Sequence, residues 1–270
     1  MLKHSNYLLV FTMKEIISKD NKLIKYVSKL QSSAKFRREE QRFVSEGLRV
    51  CLEAVSSGAE ITDVLITDEA LSKHESALKP LLESNAKIYL TNKNTLSHAC
   101  DTKTPQGVVC VLKTLDNNID FDTINNKYVF LENIQDPSNL GTILRTADAL
   151  GVSGVIMTRD CCDIYSPKVC RGAMGALFRV PFTFVDNAQK FISDFNNHGT
   201  SYAAVVRDAD AVSKVSFQGS ALVAIGNEGN GLTDATASAC TQRITIPMNG
   251  VAESLNAAIA AGILMWEMIK

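Results

Sequence analysis

The sequence predicts an α/β fold made of two units, and three observations lead to this prediction. Short apolar runs typical of strands alternate with helical stretches along most of the chain. The strands of the second half are nearly continuous Val, Ile and Ala runs, which is typical of a parallel sheet covered by helices on both faces. The 270 residues, 46% hydrophobic and 21% charged, fit one large or two small globular domains at about 100–200 residues each.

The N-terminal residues 1–12 are predicted to be a disordered extension, and Met13 is a plausible start. Their apolar stretch, Tyr7 to Phe11, is too short for a secretory signal and lacks a small-residue cleavage site. The longest apolar run, Ala257 to Trp266, falls well short of the ~20 residues that cross a bilayer. Seven cysteines without a C-x-x-C pair indicate reduced thiols rather than zinc ligands or disulfides. We therefore expect a cytoplasmic protein with no membrane segment.

The formal charge of −1 is unevenly distributed along the chain. Residues 14–50 carry ten Lys or Arg against five Asp or Glu, which gives this segment a charge of +5. A positive face on a near-neutral protein favours binding to a polyanion. A solvated amphipathic helix explains the same charges equally well. Its inner side would carry Ile16, Ile17, Ile24, Val27 and Leu30.

Residues 13–113 are predicted to form the first unit, with βαβα order. The expected strands are Arg42–Ser45, Asp63–Thr67, Lys87–Thr91 and Gly107–Lys113. The expected helices are Gly47–Ser57, Glu69–Ser84 and about Asn94–Cys100. Residues 114–127 are rich in Asp and Asn, lack periodicity and are predicted to be a linker.

Residues 128–270 are predicted to form the second unit. The expected strands are Tyr128–Ile134, Gly154–Thr158, Phe182–Val185, Ser201–Val206, Ala221–Asn227 and Arg243–Met248. The expected helices are about Gly141–Leu150, Ser166–Ala176, Ala188–Asn197, Thr233–Ala239 and Ser254–Ile269. Ligands of parallel α/β sheets bind beyond the carboxyl ends of the strands, so the loops that follow three of these strands form the candidate site.

The first of these loops, residues 136–147, leads into a helix whose free N–H groups can bind an anion. Arg145 lies ~6 Å along the helix axis from Gly141 and could reach back to a phosphate or sugar at the helix start. The alternative is that Asn139 is only the helix cap and Arg145 a surface charge.

The second loop, residues 225–232, has three glycines that allow a sharp turn and a close approach to a ligand. It matches neither G-x-G-x-x-G nor a Walker A loop, and it has no Lys to hold phosphates. Glu228 is an acceptor among turn residues. A plain hairpin-like turn is the alternative.

The third segment, residues 246–256, opens a helix that is apolar on almost every side, which suggests a subunit interface. Ser254 and Asn256 are its polar exceptions. Helix capping would explain Ser254 well and Asn256 less easily.

Together, in order and spacing, these segments resemble the three signature motifs of the SpoU (TrmH-type) RNA ribose 2′-O-methyltransferases. The motifs are N-x-G-x-x-x-R-T-A at Asn139–Ala147, G-N-E-G-x-G-L at Gly226–Leu232 and I-P-M-x-G-x-x-x-S-L-N at Ile246–Asn256. The first unit, with F-V-S-E-G at Phe43–Gly47, resembles the substrate-binding domain that precedes the catalytic domain in this family.

The resemblance implies a SPOUT α/β trefoil-knot domain with a parallel sheet at residues 128–270, and a small α/β substrate-binding domain before it. Sequence patterns alone do not indicate a knot, because threaded loops are rare. The resemblance also implies a homodimer whose active site draws on both subunits, and S-adenosylmethionine held in the knot without a metal. Backbone groups of Gly226, Ile246 and Leu255 would hold this cofactor.

For the reaction, the ribose 2′-OH must lose a proton as its oxygen attacks the methyl group of a sulfonium. The resemblance makes Arg145 the catalytic residue, either deprotonating or positioning the 2′-OH with help from an RNA phosphate. Arginines are poor bases, with pKa values above ~12, which gives positioning equal weight. The residues expected to orient Arg145, the ribose and the cofactor are Asn139, Glu228, Ser254 and Asn256.

We therefore expect an RNA ribose 2′-O-methyltransferase. A dedicated N-terminal domain favours 23S rRNA as substrate, with tRNA as the alternative, because a structured element in a large RNA needs more contact surface. A non-catalytic RNA-binding protein on the same fold and a methyltransferase that modifies a base are further alternatives.

Lys168 and Arg171 would contact RNA phosphates or remain solvated cations.

Overall fold

In the computed structural model, residues 13–116, 119, 121 and 125–270 are described. The predicted extension at residues 1–12 lies outside the described residues, as do residues 117, 118, 120 and 122–124 of the predicted linker. The chain divides into two compact units. The first contains the described residues up to Leu115 together with Tyr165–Phe178, and the second contains the rest.

The strands are β1 (Lys14–Ile16), β2 (Arg42–Glu46), β3 (Ile61–Thr67), β4 (Lys87–Thr91), β5 (Val108–Lys113), β6 (Lys127–Leu131), β7 (Gly154–Thr158), β8 (Phe182–Val185), β9 (Thr200–Ala204), β10 (Asp210–Ala211), β11 (Ala221–Ile225) and β12 (Gln242–Thr245). The helices are α1 (Lys22–Ser32), α2 (Ala34–Glu40), α3 (Leu48–Ser56), α4 (Asp68–Leu82), α5 (Lys93–Ser97), α6 (Pro137–Leu150), α7 (Pro167–Ala173), α8 (Ala188–Phe195), α9 (Asp234–Ala239) and α10 (Ala257–Ile269). Short 3₁₀ turns occupy Ala176–Phe178 and Val212–Lys214.

The first unit is built on a five-stranded sheet of order β1-β4-β3-β5-β2. Strands β1, β4 and β3 are parallel, whereas β5 is antiparallel to both β3 and β2. The sequence missed β1, which has only three residues. The side chain of Asn21 accepts a hydrogen bond from the backbone N–H of Leu23, so α1 begins at Lys22. The alternative of an amphipathic helix places Ile24, Val27 and Leu30 correctly on its buried face. It is wrong for Ile16, which is in β1, and for Ile17, which is 67% exposed.

Some of the cations in the basic segment at residues 14–50 are buried or paired with a carboxylate within the first unit. Arg37 is buried, and its guanidinium donates to the carbonyl of Gln31 at 3.0 Å. Lys25 pairs with Asp20 at 2.9 Å. The segment therefore contains the amphipathic helix given as the alternative, which is α1.

Arg171 of α7 also belongs to the first unit. Its guanidinium lies 2.7 Å from the carboxylate of Asp101. The pair explains Arg171 better than either sequence-based alternative, because its charge is neither presented to RNA phosphate nor simply solvated.

The second unit is built on the predicted parallel sheet, with seven strands in the order β10-β12-β9-β11-β6-β7-β8. Every residue of the central strand β11 is buried, as the apolar runs predicted. Among its strands the sequence missed the two-residue β10, and it also missed the 3₁₀ turn that follows.

Two helices of this unit begin where side chains cap them, and neither start was predicted. α6 begins four residues before Gly141 because the Asp136 carboxylate accepts from the N–H of Ser138 at 2.7 Å and Pro137 suits the first turn. α10 begins after Asn256, whose side-chain oxygen accepts from the N–H groups of Ala258 at 2.9 Å and Ile259 at 3.3 Å. The alternatives in which Asn139 or Ser254 is only a helix cap are therefore wrong, whereas Asn256 does cap its helix.

The C-terminal helix α10 buries one face and exposes the other. The buried face packs against α6, β11 and β6. The other face exposes Ile259 and Trp266 by 57% and 59%, and Ile263 and Ile269 by 36% and 37%. In the described part of the chain, no helix is long and apolar enough to cross a membrane.

Candidate active site

The three motif loops lie at one edge of the second unit because of the order of its strands. β12, β9, β11 and β6 are neighbours and run parallel, so their carboxyl ends meet at the same edge. The first loop follows β6, the second follows β11 and the third follows β12. The predicted convergence of these loops is therefore confirmed.

A cavity of about 320 Å³ opens among the ends of β9, β11 and β12 and the start of α10. Its size falls in the range of small-molecule sites, about 300–1,000 Å³. Gly226, Ile246 and Leu255, the predicted cofactor-binding positions, all line it, together with Glu228 and Ser254.

Gly226 lies so close to another part of its own loop that no side chain fits there. A Cβ atom at this position would be 2.0 Å from the carbonyl carbon of Gly231 and 2.1 Å from the nitrogen of Leu232. The loop closes on itself through two hydrogen bonds between the backbones of Asn227 and Gly231, at 3.0 and 2.9 Å. The second loop is therefore both a hairpin-like turn and part of the cavity wall.

Asn227 holds this loop, a role that the sequence analysis missed. Its side-chain oxygen accepts from the N–H groups of Gly229 at 2.9 Å and Asn230 at 3.2 Å, while its amide donates to the carbonyl of Asn133 at 2.9 Å. An Asn at the start of a glycine-rich turn commonly makes such bonds, so G-N-E-G contained the signal.

The Glu228 carboxylate accepts three hydrogen bonds from the first loop. The donors are the backbone N–H groups of Gln135 at 3.1 Å and Asp136 at 3.0 Å, and the side-chain amide of Asn139 at 2.9 Å. Burial alone would raise the pKa of Glu228, but the bonds from Asn139 and from backbone N–H groups outweigh it and hold the pKa below its usual value. Glu228 is therefore an anion near neutral pH, suited to orienting donors rather than to giving up a proton.

Asn139 and Asn256 extend this network to the third loop. The Asn139 oxygen accepts from the side-chain amide of Asn256 at 2.9 Å. Since a carboxylate only accepts, Asn139 must turn its NH₂ to Glu228 and its oxygen to Asn256, which leaves the Asn256 oxygen to cap α10. The orientation of both amides thus follows from one anion.

The remaining predicted residues, Ser254 and Arg145, lie outside this network. Ser254 lines the cavity and is exposed. Arg145 is also exposed, does not line the cavity, and makes no ion pair with any residue in the described ranges. The structure thus brings together four of the five predicted catalytic residues around the cavity and its network, and leaves Arg145 apart.

The chemistry of the cavity fits S-adenosylmethionine better than a phosphorylated cofactor. The residues that line it include one carboxylate, Glu228, and no Lys or Arg. Met248, Ser254 and Leu255, which line it, make no backbone hydrogen bonds with other described residues, so their N–H and C=O groups are available to a ligand. An apolar wall with free backbone groups suits an adenosyl group, and the absence of cations among the lining residues suits a sulfonium.

Comparison with known proteins places the chain in a family. Residues 126–266 match the SpoU rRNA Methylase family, and residues 21–110 match the MRM3-like substrate binding domain. An uncharacterized tRNA/rRNA methyltransferase of Synechocystis is 31% identical over 97% of this chain and 95% of its own length. The Bacillus subtilis 23S rRNA (guanosine(2553)-2'-O)-methyltransferase RlmP is 28% identical over 95% of this chain and 99% of its own.

Solved structures agree with this placement. The AdoMet-bound rRNA methyltransferase from Sinorhizobium meliloti superposes with a TM-score of 0.85 at 28% identity, over 95% of this chain and 97% of that one. The SpoU methyltransferase AviRb from Streptomyces viridochromogenes, in complex with AdoMet, gives 0.82 at 27% identity, over 92% and 97%. The second unit therefore has the SPOUT fold with its trefoil knot, and the chain belongs to the SpoU rRNA methylase family.

Proposed function

We propose that this protein transfers a methyl group from S-adenosylmethionine to a ribose 2′-OH of RNA. The observation that carries the proposal is the chain of side-chain hydrogen bonds from Glu228 through Asn139 to Asn256, which ties the three motif loops together beside the cavity. A protein that only binds RNA has no need for such a network beside a small-molecule cavity.

The cofactor would occupy the cavity lined by Gly226, Ile246 and Leu255. When bound, it supplies an electrophilic methyl group on a sulfonium. Gly226 allows the second loop to fold tightly beneath the ligand, and the backbones of Met248, Ser254 and Leu255 offer hydrogen bonds. Ser254, on the cavity wall, offers a hydroxyl to the ribose or the cofactor.

Arg145 would hold the ribose 2′-OH in line for attack. Because arginine is a poor base, its part is to orient the hydroxyl and an adjoining RNA phosphate, and to stabilise the negative charge that develops on the attacking oxygen. The proton then passes to a phosphate oxygen or water. Holding two reactants in line can supply much of the rate enhancement without any base on the protein.

The active form would be a homodimer. Ile259, Ile263 and Trp266 follow one another at helical spacing on the exposed face of α10, and an apolar face of this kind is typical of a subunit interface. Arg145 does not line the cavity of its own chain, which supports a site completed by the second subunit.

The substrate would be ribosomal RNA of the large subunit, bound through residues 13–113, with methyl transfer carried out by residues 128–270. The name of the Bacillus subtilis relative supports 23S rRNA, and the match of residues 21–110 to a substrate-binding domain supports the division of labour. Such a substrate places the enzyme in the cytoplasm, and tRNA is the second candidate.

The test is transfer of labelled methyl groups to 23S rRNA and to tRNA from cells lacking the gene, followed by nucleoside analysis. We expect 2′-O-methylated ribose in 23S rRNA. Label in a base would contradict the ribose assignment, label in tRNA alone would contradict the rRNA assignment, and cofactor binding without labelling of either RNA would contradict the proposal as a whole.

A further inference from the structure

A second cavity, of about 420 Å³, lies wholly within the first unit and shares no lining residue with the cavity of the second unit. It opens between the starts of α3, α4 and α5 and the turn before β5. Its volume is that of a small-molecule site rather than of a surface crease.

The rim of this cavity is basic. Arg49, Lys73 and Lys93 line it and are exposed, and none of them makes an ion pair with another described residue. Glu69 is the one carboxylate among the lining residues. Other lysines of the unit do pair with carboxylates, for example Lys79 with Glu83 and Lys113 with Glu60. Three unpaired cations around one concavity attract an anion with several phosphates.

The floor of the cavity is apolar. Leu48, Ala70, Leu96 and Pro105 line it. Ala70 and Leu96 are buried, and Leu48 and Pro105 are partly exposed. Such a floor is unsuited to a phosphate alone and suited to the face of a base. Gln106, exposed on the wall, offers both a donor and an acceptor to the edge of a base.

Two glycines with positive φ allow the loops beside this cavity to pack closely. A Cβ atom on Gly107, with φ at +85°, would be 2.5 Å from the Thr67 hydroxyl and 2.7 Å from the Ala70 Cβ. A Cβ atom on Gly47, with φ at +101°, would be 3.0 Å from the side-chain oxygen of Gln106. Both loops are fixed to the sheet, because Gly47 donates to the carbonyl of Val108 and Thr67 donates to that of Gly107, each at 2.9 Å. The cavity is therefore part of the fold of this unit.

We propose that this cavity binds an unstacked nucleotide of the RNA substrate. The base lies on the apolar floor with its edge at Gln106, and the adjoining phosphates contact Arg49, Lys73 and Lys93. Single-stranded loops and bulges present such bases, so the first unit would select a structural feature of the RNA rather than a regular duplex. The inference rests on the proposed RNA substrate and adds the site at which the first unit recognises it.

The test compares two double variants with the same change of charge. Lys73→Gln with Lys93→Gln removes two rim cations, and Lys79→Gln with Lys87→Gln removes two exposed lysines of the same unit that do not line the cavity. Binding to 23S rRNA transcribed in vitro is measured without cofactor across salt concentrations. We expect the rim variant to bind about 10-fold more weakly. Its slope of log affinity against log salt concentration should fall by about 2, one for each lost phosphate contact. The control variant should change the affinity by less than about 2-fold. Equal losses in both variants would overturn the inference.

The base contact is tested by cross-linking RNA that contains 4-thiouridine to the whole protein and mapping the adducts by mass spectrometry. Adducts at Leu48, Pro105 or Gln106 are expected, and adducts confined to other surfaces would overturn the inference.

Titration with free AMP and UMP separates RNA from a soluble nucleotide as the ligand. Micromolar affinity for either nucleotide, with no loss of RNA binding in the rim variant, would assign the cavity to a small effector instead. None of these measurements depends on methyl transfer, so a failure of the proposed activity would be seen separately.

Discussion

Asn139 donates a hydrogen bond of 2.9 Å from its side-chain amide to the carboxylate of Glu228, which lies 89 residues further along the chain. The bond joins the first and second motif loops, and a second bond from Asn256 adds the third. Residues that look independent in the sequence are therefore parts of one polar network. The effects of mutating them on stability should not be additive.

Replacing the buried Asn139 with Ala should lower both stability and activity. The change leaves the Asn256 amide without its partner and removes one of the three donors to Glu228. Such a loss costs about 1–3 kcal/mol. Urea unfolding and methyl transfer measure the two effects. Ser138→Ala, an exposed change in the same helical turn, is the control and should alter the free energy of unfolding by less than about 0.5 kcal/mol.

The lowered pKa of Glu228 predicts a pH dependence of stability. Since the folded-state pKa lies below the usual glutamate value of about 4.3, the carboxylate contributes stability above that pH and loses it as the pH falls through the folded-state pKa. The difference in free energy of unfolding between the wild type and Glu228→Gln should therefore shrink as the pH is lowered from 6 to 3. A difference that grows toward acid pH would contradict the prediction. Chemical denaturation at several pH values measures it.

Gly226→Ala should disrupt the second loop, because the added Cβ would lie 2.0 Å from the backbone of Gly231. The cost should reach or exceed the ~1–3 kcal/mol of an overpacked core, and cofactor binding should be lost with it. Gly229→Ala is the matched control in the same loop, where the nearest atom to a new Cβ is the Asn227 side-chain oxygen at 3.5 Å. Thermal unfolding and calorimetric titration with S-adenosylmethionine should separate the two variants clearly.

Trp266→Glu should convert the proposed dimer into monomers and abolish methyl transfer, since it places a charge in the apolar face of α10. Light scattering after gel filtration measures the mass of each variant. Ile17→Glu introduces the same charge at an exposed isoleucine of the first unit and should leave the mass unchanged. A monomeric variant with full activity would contradict the shared active site.

The sequence predicted the parallel sheet of the second unit well because its strands are apolar throughout, as burial on both faces requires. The same parallel order explains why three motifs far apart in the sequence could be expected at one edge. Helix starts were less predictable. Ser254 and Asn256 are both good capping residues, and only the backbone path after β12 decides that Asn256 takes this place.

Other features depend on contacts that no local pattern contains. Arg171 looked available for RNA, but Asp101, 70 residues earlier in the sequence, pairs with it. The threading of the knot is likewise a property of the whole chain path and entered only through the resemblance to a family. The close packing of the loops beside the cavity of the first unit uses positive φ angles at Gly47 and Gly107, which are not visible in the sequence.

The central claim, that Arg145 acts on the RNA while the cavity holds the cofactor, is tested most directly by Arg145→Ala. Calorimetric titration with S-adenosylmethionine and methyl transfer to 23S rRNA are measured on the same preparation. The account predicts cofactor affinity within about 2-fold of the wild type and transfer reduced at least ~100-fold, as for loss of a charge-stabilising donor. Equal loss of cofactor binding and transfer would give Arg145 a structural role, and unchanged transfer would contradict the account.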